Sequence, residues 1–181
     1  YFSLDSIARY EYTKAFRDEY DERNFCRAYE YVENLDGHFL DHVLDIHSIL
    51  SKDTLHKDLY GFRKSDVEIF HTAKKRVLRR IPVLDFSEEI ERISKEKSHF
   101  KKLDQVAFEH IEILKIHPFC DGNGRLARFI TCKRLADMGG RYFYKYLETK
   151  TDEHTEAVYE TFDNGKGFKA FADFLRRITV F

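Results

Sequence analysis

The amino-acid sequence predicts an all-α fold, and three observations lead to this prediction. Only two prolines, Pro82 and Pro118, interrupt 181 residues that are otherwise rich in helix formers. Apolar residues recur at helical spacing, as at Ala107 and Ile111. The 17 Phe and 11 Tyr supply the apolar surface that a core of single-domain size requires. We therefore expect residues 1–181 to form a single domain, a helical bundle.

Eight helices and one small β-hairpin make up the expected order of elements. Apolar residues alternate with period two at Val67 and Ile69, which suits a short strand, and its return strand is expected near residues 82–84. Gly139 and Gly140 supply a helix C-terminal signal. The helices are expected over residues 6–20, 23–33, 40–50, 87–98, 105–116, 125–138, 151–161 and 168–179.

The densest group of chemistry-bearing residues lies at positions 117–128, in the turn between two of these helices. Pro118 disfavours the α conformation at His117, which ends the first helix and leaves the imidazole at its mouth. Gly122 and Gly124 lack a Cβ, so the backbone N–H groups between them can turn around an anion. The start of the next helix attracts phosphate through its unpaired N–H groups and its dipole.

Charged side chains in the same segment complete a site for a phosphate chain. Arg125 and Arg128 are three residues apart and are neighbours on one helical face, where each can bind a pair of phosphate oxygens. Asp121 suits a hard cation such as Mg²⁺, and Asn123 adds a neutral donor. Each residue alone has an ordinary structural explanation, but so many specified positions in one short segment favour phosphate chemistry.

This segment matches, at every defining position, the pattern H-x-F-x-[D/E]-G-N-G-R-x-x-R of the Fic family (filamentation induced by cAMP), which the sequence therefore resembles. The resemblance implies a helical bundle that transfers AMP from ATP to a hydroxyl side chain of a target protein. It also implies that His117 is the general base and that Asp121 binds Mg²⁺. The implied nucleotide-binding residues are Gly122, Asn123, Gly124, Arg125 and Arg128, with Arg128 nearest the γ-phosphate.

The resemblance extends upstream to a β-hairpin flap, expected over residues 59–85. Family members often carry G-x-[FY]-R before alternating apolar residues, and this chain has Gly61-Phe62-Arg63 before Val67 and Ile69. Such a flap can hold an extended target segment by strand addition. An ordinary hairpin without a function is the alternative, and the basic run 74–80 is interpreted as a solvated face of this region. The residues expected to contact the target are Phe62, Arg63, Val67 and Ile69.

Two regions depart from the family pattern. Many members inhibit themselves with a helix that carries [S/T]-x-x-x-E-[G/N], but residues 1–20 place Ala8 where the glutamate is expected, with Glu11 one turn away. Either the chain is uninhibited in cis, or a separate antitoxin-like partner supplies the glutamate, or this segment is degenerate. A Tyr-Tyr pair after the motif is also missing. The residues expected to form the base pocket are His154, Tyr159 and Asn164.

The sequence as a whole predicts a protein adenylyltransferase that uses Mg²⁺ and ATP. His117 would accept the proton of a Ser, Thr or Tyr hydroxyl as that oxygen attacks the α-phosphorus, with pyrophosphate leaving. Transfer of UMP, phosphocholine or phosphate and removal of AMP remain enzymatic alternatives. A nucleotide-binding interaction module is the non-enzymatic alternative, although it would not need a base at His117. Self-modification and a homo-oligomer also remain open.

Composition excludes several other classes of protein. A formal net charge of −1 gives no overall basic field, so no nucleic-acid partner is expected. No stretch has the length and hydropathy of a membrane span or a signal peptide, so no membrane partner is expected. Cys26, Cys120 and Cys132 lack metal-ligand spacing, which favours a reducing cytoplasm, with secretion into a host cell as the alternative. Because Tyr1 rather than Met stands first, flanking sequence can precede it.

Overall fold

A computed structural model describes residues 19–36, 38–55, 57–71, 74–140, 153–163 and 167–179. These residues form a mainly helical fold with one small antiparallel hairpin, as predicted. The described elements are α1 (Glu19–Glu33), α2 (Val43–Leu50), β1 (Val67–His71), β2 (Arg76–Ile81), α3 (Phe86–Glu96), α4 (Leu103–Ile116), α5 (Asn123–Asp137), α6 (Glu153–Asp163) and α7 (Lys169–Ile178).

Seven of the eight helices predicted from the sequence are present, with ends shifted by a few residues. Local signals fix several ends. The Asp85 carboxylate accepts a hydrogen bond from Glu88 N at 3.1 Å and so caps the start of α3. Gly139 has a φ of +76° after α5, and Gly140 N donates to Leu135 O at 2.8 Å. Residues 6–18 of the helix predicted over 6–20, which include Ala8 and Glu11, lie outside the described residues, and residues 19 and 20 belong to α1.

The return strand of the hairpin differs from the prediction. It was expected near residues 82–84, but β2 ends at Ile81 and pairs with β1 in the register Val67 with Ile81 and Glu68 with Arg80. Pro82 has no backbone N–H to contribute to a ladder, so the strand ends before it. The basic run 74–80 therefore supplies most of β2.

Helices α4 and α5 form the centre of the core. They pack against each other, and α4 also packs on α3 and α7, while α1 packs on α2 and α6 on α7. The side chains of Ile111, Phe129 and Leu135 are fully buried here. One buried ion cluster crosses this core, in which Glu109 binds Lys97 at 3.2 Å and Arg134 at 3.0 Å. Burial of the apolar side chains between α4 and α5 fixes the relative position of these two helices, which flank the motif.

None of the helices that the structure describes is long and apolar enough to cross a membrane.

We predict that Ile111→Ala lowers the free energy of unfolding by about 2–5 kcal/mol, because it leaves a cavity between the central helices. Leu44→Ala is the control, since Leu44 is 41% exposed and should change stability by about 0.5 kcal/mol or less. Urea denaturation of both variants measures the difference. Equal losses would mean that α4 is not the centre of the core.

Candidate active site

The end of α4 sets the position of the first motif residue. His117 caps the helix with φ +48° and ψ +63°, and its N–H donates to Ile113 O at 3.0 Å. The helix ends where the sequence predicts, but His117 is left-handed rather than extended as the following proline suggested. A left-handed conformation costs a residue with a side chain roughly 1–2 kcal/mol. Other contacts must therefore hold this backbone.

Arg63 supplies those contacts. Its guanidinium is buried, with 2% of the residue exposed. The backbone N–H of Arg63 also donates to Pro118 O at 2.9 Å. The side chain donates to four carbonyl oxygens, those of His117 at 2.6 Å, Ser65 at 2.6 Å, Pro82 at 2.9 Å and Ile116 at 3.2 Å.

These contacts correct one part of the flap prediction. The Arg63 side chain acts inside the fold and does not present itself to a target. Phe62 is partly buried, and its ring packs 5.4 Å from that of Phe86 and 5.6 Å from that of Phe119. It also lines a surface cleft beside α3, so its contact with a target stays a prediction. Val67 and Ile69 lie on β1 as expected and are half-buried, and their contact with a target stays a prediction.

The imidazole of His117 is half-buried and neutral at neutral pH. Its Nδ1 lies 3.4 Å from Leu114 O, and since a carbonyl can only accept, the proton belongs on Nδ1 and the lone pair on Nε2. Burial lowers the pKa of His117 below the ordinary histidine value, and the positive charge of Arg63 lowers it further. The Leu114 carbonyl and Asp121 act in the opposite direction. The imidazole can therefore accept a proton.

Asn123 has a different role from the one predicted for its side chain. Its Oδ1 accepts from Phe119 N at 3.0 Å, and its Nδ2 donates to Phe119 O at 2.8 Å. The residue is 2% exposed, so the amide bridges the turn and does not point into the cleft as a donor. The backbone N–H of Asn123, in the first turn of α5, remains available to an anion.

A second support for the turn comes from α2, and the sequence analysis missed it. The ring of His47 stacks on Phe119 with centroids 3.6 Å apart, and its Nε2 donates to Asp121 O at 2.9 Å. Burial lowers the pKa of His47. Ser51 Oγ lies 3.3 Å from the same Nε2. The signal available in the sequence was a polar pair, His47 and Ser51, at i and i+4 at the C-terminal end of an apolar helix.

The remaining motif side chains border the cleft. Asp121 is exposed, and its Oδ1 accepts from Gly122 N at 2.6 Å. Arg125 reaches Thr54 Oγ1 at 3.0 Å, which anchors its guanidinium to the segment after α2. The cleft is open and has a volume of about 240 Å³. It is lined by His117, Cys120, Asp121, Gly122, Asn123, Gly124, Arg125 and Arg128.

Two of the residues predicted to form the base pocket do not line this cleft. His154 of α6 is buried, and its Nε2 lies 3.3 Å from His110 Nε2. Its ring packs against Phe171 and Phe174, which accounts for its burial. Tyr159 is half-buried on the same helix and is likewise absent from the lining. Asn164 lies outside the described residues.

The family model of the Fic/DOC family matches residues 34–135, which is more than half of the chain. The chain belongs to the Fic/DOC family. Membership supports a Fic-type transferase in general terms. A search of curated proteins returned no match.

Solved structures support the same fold. The crystal structure of a Fic family protein from Desulfovibrio desulfuricans G20 is similar, with a TM-score of 0.67 and 20% sequence identity. The similarity covers 96% of this chain and 56% of that protein, so this chain spans little more than half of that relative's length. At this identity the likeness shows the fold alone.

We predict that Gly122→Ala destabilises the protein more than Gly139→Ala. Both glycines have a positive φ, at +82° and +76°, so both variants should lose roughly 1–2 kcal/mol of stability. A Cβ at Gly122 would also lie 3.0 Å from His47 Nε2 and 3.2 Å from Ser51 Oγ, whereas one at Gly139 meets nothing within 4 Å. Urea denaturation measures both losses. An equal or larger loss for Gly139→Ala would refute the close packing of α2 on the turn.

Proposed function

We propose that this chain is a protein adenylyltransferase, which transfers AMP from Mg·ATP to a Ser, Thr or Tyr hydroxyl and releases pyrophosphate. One observation carries the proposal. The half-buried imidazole of His117, with its lone pair on Nε2, lines the same cleft as the glycine-framed turn at the start of α5. A base beside a phosphate site is what a transfer to a hydroxyl requires.

The start of α5 supports binding of the phosphate chain. Gly122 is left-handed with φ +82°, which opens the turn, and the first N–H groups of α5 have no partner within the helix. The helix dipole adds partial positive charge at this end. Arg125 and Arg128 line the same cleft and contribute full positive charges. We expect these groups to bind the α-, β- and γ-phosphates.

Asp121 is the residue that would hold Mg²⁺. Its carboxylate is exposed at the edge of the cleft, and one oxygen is occupied by Gly122 N. Mg²⁺ is commonly bound by one or two carboxylates together with substrate phosphates and water, and this donor set fits that pattern. Among the residues that the structure describes, no group of three or more His, Cys, Asp and Glu could hold a metal by itself. When bound, the ion would offset the negative charge of the phosphates.

The transfer then follows from these positions. Nε2 of His117 takes the proton from the target hydroxyl, and the hydroxyl oxygen forms a bond to the α-phosphorus. The bond from the α-phosphorus to the oxygen that bridges to the β-phosphorus breaks in line. The charge on the departing pyrophosphate is stabilised by the α5 N–H groups and by Arg125 and Arg128.

The hairpin supplies a surface for the target. β1 and β2 pair with each other in a two-stranded sheet, so each strand leaves one edge outside that pairing. An extended target segment could add to such an edge through main-chain hydrogen bonds. Val67 and Ile69 would contact its side chains.

We predict that label from α-³²P-ATP appears on protein, whereas label from γ-³²P-ATP does not. The test uses the purified chain with Mg²⁺, alone and with a lysate, and includes α-³²P-UTP. His117→Ala should reduce transfer by about 10²–10⁴-fold, because it removes the base. The control His99→Ala removes an exposed histidine and should leave transfer unchanged.

Each other result has a clear meaning. Transfer of the γ-label would indicate phosphate transfer, and transfer from UTP in preference to ATP would indicate another nucleotide. Full activity of His117→Ala would remove this residue from the mechanism. No transfer from any donor would favour a nucleotide-binding module.

We predict that the acidic limb of the kcat/KM profile for ATP, which reports the free protein, has its midpoint below pH 6.5, the ordinary histidine value. The base must be neutral, and because its pKa is lowered in the free protein, it stays neutral to lower pH than a free histidine. The value of kcat/KM should therefore rise as pH increases through the lowered pKa and then level off. Initial rates at ATP concentrations well below KM, between about pH 5 and 8, measure this midpoint. A midpoint above 6.5 would contradict burial as the dominant influence on His117.

A further inference from the structure

The guanidinium of Arg63 contacts the backbone at the C-terminal end of α4 and beside both strands of the hairpin at its open end. Among the described residues, the hydrogen-bond acceptors of its side chain are all backbone carbonyls. Nε donates to the carbonyl of His117, which caps α4, and Nη2 donates to the carbonyl of Ile116, the last residue of α4. Nη1 donates to Ser65 O before β1, and Nη2 also to Pro82 O after β2.

A buried cation in this position needs an explanation beyond packing. Removing a charge from water carries a large penalty unless hydrogen bonds replace the hydration. Here the carbonyls at a helix C-terminus carry partial negative charge and offset part of that penalty. An apolar side chain would fill the space but would leave four carbonyls without this donor. The planar guanidinium presents its N–H donors in a fixed, forked arrangement, and an apolar residue could not reproduce this property.

We propose that Arg63 is a positioning residue for the transfer reaction, because its guanidinium holds the backbone of His117 in the left-handed conformation and joins it to both strands of the hairpin at its open end. This inference rests on the proposed function. The carbonyl of His117 is fixed at 2.6 Å from Nε, and the carbonyl of the next residue, Pro118, is fixed by Arg63 N at 2.9 Å. Two adjacent peptide groups are thus set by one residue.

Fixing these peptide groups fixes the direction of the His117 side chain. A backbone that relaxed from φ +48° to an unstrained conformation would swing the imidazole away from the turn at the start of α5. A misplacement of about 1 Å can reduce a rate by about 10²-fold. The same guanidinium binds the carbonyls of Ser65 and Pro82. A target strand paired with the hairpin would therefore lie at a fixed distance and orientation from the His117 imidazole.

The test compares kcat and KM for two variants of Arg63. Arg63→Met keeps the stem but loses the donors, and Arg63→Lys keeps the charge but lacks the planar fork. Both should lower kcat about 10²-fold while the affinity for Mg·ATP changes by less than about twofold, since none of the four acceptors belongs to the start of α5. Rates are taken well below each unfolding midpoint, so that only folded protein is compared.

Lys97→Met is the matched control. Lys97 is also a buried cation, but it pairs with Glu109, further back along α4. Its loss should lower stability and leave kcat unchanged. In the folded Arg63 variants, the amide resonance of His117 should shift more than that of Gly124. Wild-type kcat in a folded Arg63→Met, or an equal fall in Lys97→Met, would overturn the proposal.

One measurement does not depend on the variants folding. In the wild-type chain labelled with ¹⁵N-arginine, the Nε–H of Arg63 should exchange with solvent far more slowly than that of Arg27, which is exposed. Exchange at the same rate would overturn the proposal, because the hydrogen bond to His117 O would not persist. If the wild type transfers no label, the proposed function fails. Slow exchange of the Arg63 Nε–H in the wild type, together with a shifted His117 amide in the Arg63 variants, would still show that the hydrogen bond to His117 O exists.

Discussion

The hydrogen bonds from Arg63 to the carbonyls beside His117 set the shape of the turn between α4 and α5. That turn must reverse the chain within a few residues and still present an imidazole and several N–H groups to one cleft. A left-handed residue with a side chain does not hold such a shape alone. Arg63 holds the first part of the turn, the Asn123 amide clamps Phe119, and His47 supports Asp121 from α2.

The motif residues therefore divide into two groups. Asn123 and Phe119 are buried and build the turn, whereas Asp121, Arg125 and Arg128 are at least partly accessible and border the cleft. Residues far from the motif in sequence complete the first group. This arrangement explains how a turn of strained geometry can be rigid. Buried partners hold four of its carbonyls, those of His117, Pro118, Phe119 and Asp121, and the cleft side remains open to a charged ligand.

The sequence predicted the helices well, because the buried face of each helix produces a regular spacing of apolar residues over a short stretch of the chain. It also predicted the set of residues around the cleft, since these lie close together along the chain. Arg63 and His47 could not be assigned their roles in this way, because they lie 54 and 74 residues from their partners His117 and Asp121. The charged strand β2 was misplaced because its exposed basic residues hide the alternation. The burial of His154 could not be read from the sequence, because it depends on the packing of α6.

The position of ATP in the cleft tests the central claim most directly. A crystal structure with Mg²⁺ and an ATP analogue that resists cleavage between the α- and β-phosphates would locate the reacting atom. The account predicts that the phosphates lie on the first turn of α5, and that the α-phosphorus lies where a hydroxyl oxygen bonded to His117 Nε2 could reach it at about 3–3.5 Å. A γ-phosphate beside His117, or a nucleotide bound away from α5, would contradict it.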